Sequence, residues 1–266
     1  MEKEITNPSP SRKYFYIIPG LIILIFLSYF TVMSVLAPVK KRDNIYTGLS
    51  VKKDGDNKID ERIHTDSTYL KLLKEKLFLQ SLVSMAGTDS IYMTVNLSDS
   101  TLNLEISGVA VHTVPVKKIK MSRILKEENE LMIQYLLSKP LTIIKDYSSI
   151  QKEPLMIKMA PKDTSEYQPD IIPDTADYEP VNYIIEMDNG VVLYIYQDEE
   201  LFPGNRMDQF IFDLRYRIRN TFVALKSVLN LKVPEYHPYI KLRIPRADAK
   251  IIYRAMPVKG QVAIYR

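Results

Sequence analysis

The chain has 266 residues and a formal net charge of +4, with no cysteine, no tryptophan, three histidines and eight glycines. Without cysteine there is no disulfide framework, no thiolate nucleophile and no Cys-based zinc or iron–sulfur site. Gly20, Gly48, Gly55, Gly87, Gly108, Gly190, Gly204 and Gly260 never take the spacing of G-x-G-x-x-G, G-x-x-x-x-G-K or G-x-S-x-G, so the common phosphate cradles and the nucleophile elbow are absent.

Residues 1–13 read as a polar tail. Between Lys13 and Lys40 no residue is charged, and 21–27 are wholly apolar. As a helix, 14–36 would be roughly 35 Å long, enough to cross a bilayer core. Tyr14, Phe15 and Tyr16 at one end, with Tyr29 and Phe30 towards the other, suit interfacial positions. We read a single transmembrane helix. A buried core helix and a cleaved signal peptide are the alternatives, and the run exceeds the roughly 7–15 apolar residues of a signal sequence. Lys3, Arg12 and Lys13 precede it and Lys40, Lys41 and Arg42 follow it, so positive charge does not orient the helix.

Residues 37–65 read as a polar juxtamembrane linker. Residues 54–60 look at first like a calcium loop. Aligning Ile59 with the loop's eighth position places Lys52 at the first ligand, Asn57 at the glycine and Ile63 at the bidentate glutamate, so calcium is not expected.

Residues 66–266 read as one soluble domain. It starts with a helix that carries Leu70, Leu73 and Leu77 on one face and stops near Gly87. Alternating segments 91–97, 102–106 and 109–116, separated by Ser98-Asp99-Ser100 and Ser107-Gly108, predict a three-stranded antiparallel meander. An amphipathic helix is predicted over 122–138, ended by Lys139-Pro140, and short strands over 141–144 and 155–159. From Pro161 to Pro180 the chain is proline-rich and acidic, with Asp163, Glu166, Asp170, Asp174, Asp177 and Glu179. No histidine accompanies these carboxylates, which read as a solvated loop rather than a metal cluster. A hairpin over 181–196 turns at Asn189-Gly190. A long helix follows, with Met207, Phe210, Ile211, Leu214, Ile218, Phe222, Leu225 and Leu229 in one apolar stripe. Arg215, Arg217 and Arg219 fall off that stripe and read as a solvated face rather than an anion site. The chain closes with a strand over 239–244, a short helix over 247–254 and a strand over 261–265. The class is α+β, a mixed and mainly antiparallel β-domain with inserted helices.

Residues 95–116, from Val95-Asn96-Leu97-Ser98 through Leu102 and Leu104 to Pro115-Val116, resemble the opening strands of L,D-transpeptidase (YkuD-like) catalytic domains, which begin "V-D-L-S-x-x-x-L-x-L" and return to "x-x-P-V-S". Asp248-Ala249-Lys250-Ile251-Ile252-Tyr253 and the strand after Gly260 are similar to that domain's closing "D-A-x-x-L-Y" helix and "G-T-P-V-x-I" strand. The resemblance covers about a quarter of the soluble chain and implies an L,D-transpeptidase-like fold. The family's active-site "S-H-G-C-x-R" falls on Tyr236-His237-Pro238-Tyr239-Ile240-Lys241. His237 matches the histidine, while Pro238 stands for the glycine, Tyr239 for the cysteine and Lys241 for the arginine.

In that family the cysteine attacks a peptidoglycan stem peptide and the histidine raises its thiolate fraction. A phenol is a poor replacement for a thiolate, proline removes a backbone donor, and lysine lacks the bidentate fork of arginine. The resemblance therefore implies a catalytically inactive domain in a single-pass protein of a bacterial inner (cytoplasmic) membrane, its C-terminal domain in the periplasm. A degenerate groove around His237, Tyr239, Lys241 and Arg243 would bind peptidoglycan, or the domain would bind an envelope protein partner. No cofactor, metal or nucleic acid is expected. The alternatives are a structural subunit of a membrane assembly and a hydrolase, built on His237 with a serine or aspartate elsewhere, whose site the sequence does not mark. A plain surface histidine is the competing reading of His237.

Overall fold

A computed structural model describes residues 10–55, 67–127, 129–152, 179–198 and 205–266. The expected strand over 155–159 and nearly all of the acidic, proline-rich stretch lie outside these residues, as do residues 1–9 and 56–66. The described residues form two compact units. One consists of the chain up to Asn44 with Ile218–Tyr236, the other of Ile45–Arg217 with His237–Arg266.

The first element, α1 (Pro10–Gly55), is one long helix. Its stretch Ile17–Gly48 is long and apolar enough to cross a membrane, a property that a signal sequence in this position shares. Ile22, Ile23, Leu24 and Ile25 are exposed, whereas positions 26, 29, 30, 33, 34 and 37, spaced by three and four, form one partly buried face. The helix does not end at residue 36; it passes through Pro38 and runs on to Gly55. The charges at 40–43 mark where the apolar stretch stops, but Lys and Arg are good helix formers, so the backbone ladder continues beyond it.

In the second unit nine strands among the described residues form one sheet, in the order β3-β2-β1-β9-β5-β6-β7-β8-β4. The expected meander is present: β1 (Tyr92–Asn96), β2 (Thr101–Ile106) and β3 (Val109–Pro115) pair antiparallel in sequence. Gly108 takes a positive φ of 83° at the β2–β3 turn, which glycine adopts without steric cost. The last strand, β9 (Gln261–Tyr265), returns parallel to β1 and joins it to β5 (Leu141–Ser148). Then follow the expected hairpin, β6 (Asn182–Met187) and β7 (Val192–Gln197), β8 (Tyr239–Ile244) parallel to β7, and β4 (Lys118–Met121) at the edge. The sheet is mixed and mainly antiparallel, and the class is α+β.

Two further elements differ from expectation. The helix predicted over 122–138 is split into α3 (Arg123–Glu127) and α4 (Glu130–Leu137), because the Asn129 side chain accepts from the Leu131 N–H at 3.0 Å and starts a new helix there. The edge strand β4 escaped notice because only Ile119 and Met121 face inward, while Lys118 and Lys120 stay exposed. Lysine on a short edge strand discourages pairing with other chains.

α2 (Ser67–Ala86) packs Phe78, Leu82 and Met85 around Tyr92 and Ala263. Each fully buried side chain of this kind contributes about 1.5–3 kcal/mol. The Gln134 amide donates to the Leu70 carbonyl at 3.0 Å, tying α4 to α2.

The long helix expected after the hairpin is α5 (Asn205–Leu229). Its residues up to Arg217 belong to the sheet unit, where Phe212 and Tyr216 are buried against Ile184 and Val192. The predicted apolar stripe points the other way, with Phe210 61% and Phe222 65% exposed. α6 (Arg246–Ala255) lies on the opposite sheet face and buries Ala249, Ile252 and Tyr253, the last against Tyr183.

Candidate functional site

Strand alternation sorts β8 into two sets. Ile240, Leu242 and Ile244 are fully buried on the α6 side, and Tyr239, Lys241 and Arg243 point to the α5 side. The parallel register places Val192 beside Tyr239, Tyr194 beside Lys241 and Tyr196 beside Arg243. Across the other edge, Lys120 pairs with Lys241 and Lys118 with Arg243. The face is thus aromatic at its centre and basic at its rim.

The first turns of α5 lie over it. Phe212 stacks on Tyr147 at 4.8 Å, and Tyr194 meets Tyr216 and Tyr239 edge-on at 5.8 and 6.0 Å. Asp213 reaches into the face, where its carboxylate accepts the Tyr196 hydroxyl at 2.7 Å and stands 3.7 Å from the Lys241 ammonium. That ammonium also donates to the Tyr196 oxygen at 3.3 Å and sits 4.4 Å from the centre of the Tyr194 ring. The rings of Tyr196 and Tyr239, at 5.4 and 5.6 Å, complete a three-tyrosine cage. Arg243 donates to Gln209 on α5 at 2.9 Å and to the Gln197 carbonyl at 3.2 Å. The Tyr216 hydroxyl donates to Glu186 at 3.0 Å.

These neighbours change the acid–base chemistry. Burial lowers the Lys241 ammonium below its ordinary value, and Asp213 opposes that shift. Burial, reinforced by Asp213, pushes the Tyr194 phenol up to about 12. Burial and the same carboxylate raise Tyr196 further still. The Tyr194 and Tyr196 phenols therefore stay neutral at neutral pH.

Of the four predicted groove residues, the structure brings Tyr239, Lys241 and Arg243 together beneath α5. His237 stands apart: it is exposed, and its Nδ1 lies 3.1 Å from the Gly190 carbonyl oxygen at the hairpin turn. A carbonyl only accepts, so this bond requires the Nδ1–H form of the ring. Pro238 has no N–H, and its carbonyl accepts from Val192 at 2.8 Å. Sequence reasoning missed the residues that close the face, namely Gln209, Phe212, Asp213 and Tyr216. Their three-and-four spacing was available, but the longer apolar stripe on the other side of α5 masked it.

A histidine–carboxylate pair links His112 on β3 to Asp248 at the start of α6, 2.9 Å apart and partly exposed. Among the described residues no group of three or more His, Asp or Glu side chains is placed to hold a metal ion.

No protein-family model matches this chain, and no curated protein matches it. Among solved structures it is similar to L,D-transpeptidase 3 from Mycobacterium tuberculosis in complex with a faropenem-derived adduct. The similarity is 14% in identity with a TM-score of 0.29, covering 66% of this chain and 60% of that chain. A likeness at that level carries no argument about chemistry.

Proposed function

We propose that this chain is a membrane-anchored cell-envelope protein whose α+β domain is a non-catalytic interaction module of L,D-transpeptidase-like ancestry. The domain faces the periplasm and engages an envelope protein rather than a peptidoglycan strand in the degenerate groove. One observation carries this reading: α5 lies over the face that holds Tyr239, Lys241 and Arg243, and Asp213 and Gln209 neutralise or bond the two cations there. A stem peptide would have to displace those partners and the aromatic contacts of Phe212 and Tyr216.

Co-sedimentation of the full-length chain in detergent with purified peptidoglycan sacculi tests the ligand. No retention above a detergent-only control is expected. Retention that is lost in Lys241→Ala/Arg243→Ala would assign the groove to peptidoglycan and overturn the reading. A C-terminal topology reporter tests the compartment, and a cytoplasmic signal would refute a periplasmic domain.

A further inference from the structure

α5 presents to solvent an apolar face that the sheet does not use. At 100° per residue, Met207, Ile211, Leu214, Ile218, Phe222 and Leu229 fall within about 50° of one meridian. All six are exposed. The buried pair, Phe212 and Tyr216, with Gln209 and Asp213 beside them, centres about 180° away. Basic residues border the apolar band, with exposed Arg215, Arg219 and Lys226 on one flank and exposed Arg217 on the other. Asp208 is an exposed carboxylate on the first of these flanks.

We propose that this outer face of α5 lies in the plane of an anionic lipid surface, its apolar band at the headgroup–acyl boundary and its flanking arginines and lysine among lipid phosphates. An apolar stripe bordered by Lys and Arg is the pattern of helices that bind in the interface, and anionic headgroups complement those flanks. A second copy of the chain is the weaker occupant, because packing α5 on its own symmetry mate would bring the basic flanks together. The same chain carries an apolar helix, α1, long enough to enter a bilayer, and that bilayer supplies a lipid surface for this face. The proposal rests on the reading of α1 as a membrane anchor.

The absence of native cysteine lets single-cysteine variants report position without background. Leu214→Cys, Ile218→Cys and Phe222→Cys would each be made in the full-length chain, together with Ile23→Cys on α1 and Val111→Cys on exposed β3. Each would carry an environment-sensitive fluorophore and be reconstituted in vesicles of phosphatidylcholine and phosphatidylglycerol at about 3:1. Far-UV circular dichroism checks the fold of each labelled chain.

At the three α5 positions, quenching by nitroxide lipids should exceed quenching by aqueous iodide by about threefold or more, with the order reversed at position 111. High salt should weaken lipid quenching at the α5 positions, because it screens the flanking charges. Iodide dominance on α5 while position 23 is still quenched by lipid overturns the proposal and leaves the anchor intact. Loss of lipid quenching at position 23 defeats the anchor reading itself. Disulfide formation between Ile218→Cys copies at low protein-to-lipid ratio, without lipid quenching, would assign the face to a second copy instead.

Discussion

α5 and α6 lie on opposite faces of the same strands, and they meet the sheet in opposite ways. α6 turns Ala249, Ile252 and Tyr253 inward, and Tyr253 packs on Tyr183 while its hydroxyl donates to Asp146 at 2.9 Å. α5 turns inward a mixed set of Gln209, Phe212, Asp213 and Tyr216, which meets polar and aromatic partners, and leaves its apolar band outside. Apolar periodicity states that a helix face needs cover. It does not state what supplies the cover, and the two helices resolve that question differently. The chemistry of the sheet decides between them: the α6 side of β8 offers Ile240, Leu242 and Ile244, whereas the α5 side offers Tyr239, Lys241 and Arg243.

The sharpest test of this contrast is truncation of what each helix buries. Phe212→Ala should cost about 3–5 kcal/mol and Ile252→Ala about 2–5 kcal/mol, as cavity-forming substitutions do. Urea unfolding of the full-length chain in detergent, followed by tyrosine near-UV circular dichroism, measures both. Equal losses on the two sides would show that both helices anchor the sheet despite their unlike inner faces, and a neutral Phe212→Ala would detach α5 from the domain.

Next in size comes the polar half of the α5 contact. Asp213→Ala leaves the Lys241 ammonium partly buried without its carboxylate and removes the acceptor for Tyr196, at a cost of about 1–3 kcal/mol. Adding Lys241→Met should recover part of that loss, because the uncompensated charge is then gone. A double-mutant cycle with no coupling would remove Asp213 from the account of how the face is closed.

A smaller effect should appear in alkali, on both sides of the sheet. The phenols of Tyr194 under α5 and Tyr253 under α6 are each raised to about 12, chiefly by burial. A raised folded-state value stabilises the fold below the ordinary tyrosine range, and this contribution is lost as pH rises from about 10 towards 12. Lys241 acts in the opposite sense: its lowered value makes the folded state shed a proton first, so its contribution rises with pH up to the ordinary lysine range. Tyrosinate absorbance and stability should therefore change together above pH 10. Free titration of all tyrosines with no loss of stability would contradict the burial of these two.

The smallest expected change is the most diagnostic for the outer band. Phe222→Ala in detergent should alter unfolding stability by no more than about 0.5 kcal/mol, since the side chain is exposed. A loss comparable with that of Phe212→Ala would mean that the band is already covered within the molecule.

Several elements could be read along the chain because their signals are local. The meander follows from alternation and from turn residues at Ser107-Gly108, and the hairpin from Asn189-Gly190, whose glycine takes a φ of 81°. The apolar run within α1 follows from hydropathy alone. Other features lacked such signals. The break between α3 and α4 depends on a single Asn129 cap inside a stretch with helical periodicity, and β4 is held by pairing with β8 more than by its own lysine-rich sequence. Tyr239, Lys241 and Arg243 were legible as one set, together with His237, through the resemblance to the transpeptidase active-site stretch. Their cover was not, because Gln209 and Asp213 are polar and polar residues on a helix ordinarily face water.

Signals local to the chain suffice for the long apolar helix, the α+β class and the absence of thiol chemistry. Packing between distant segments set the bond of His237 to the hairpin turn and the cage of three tyrosines, faced by Asp213, around Lys241. It also decided that α5 spends its polar side on the sheet and its apolar side elsewhere. The reason is physical. Periodicity and residue type act through neighbours along the chain, whereas the direction a helix faces depends on the free energy of matching one surface to another, and β7 and β8 supply that surface from segments far from α5 in sequence.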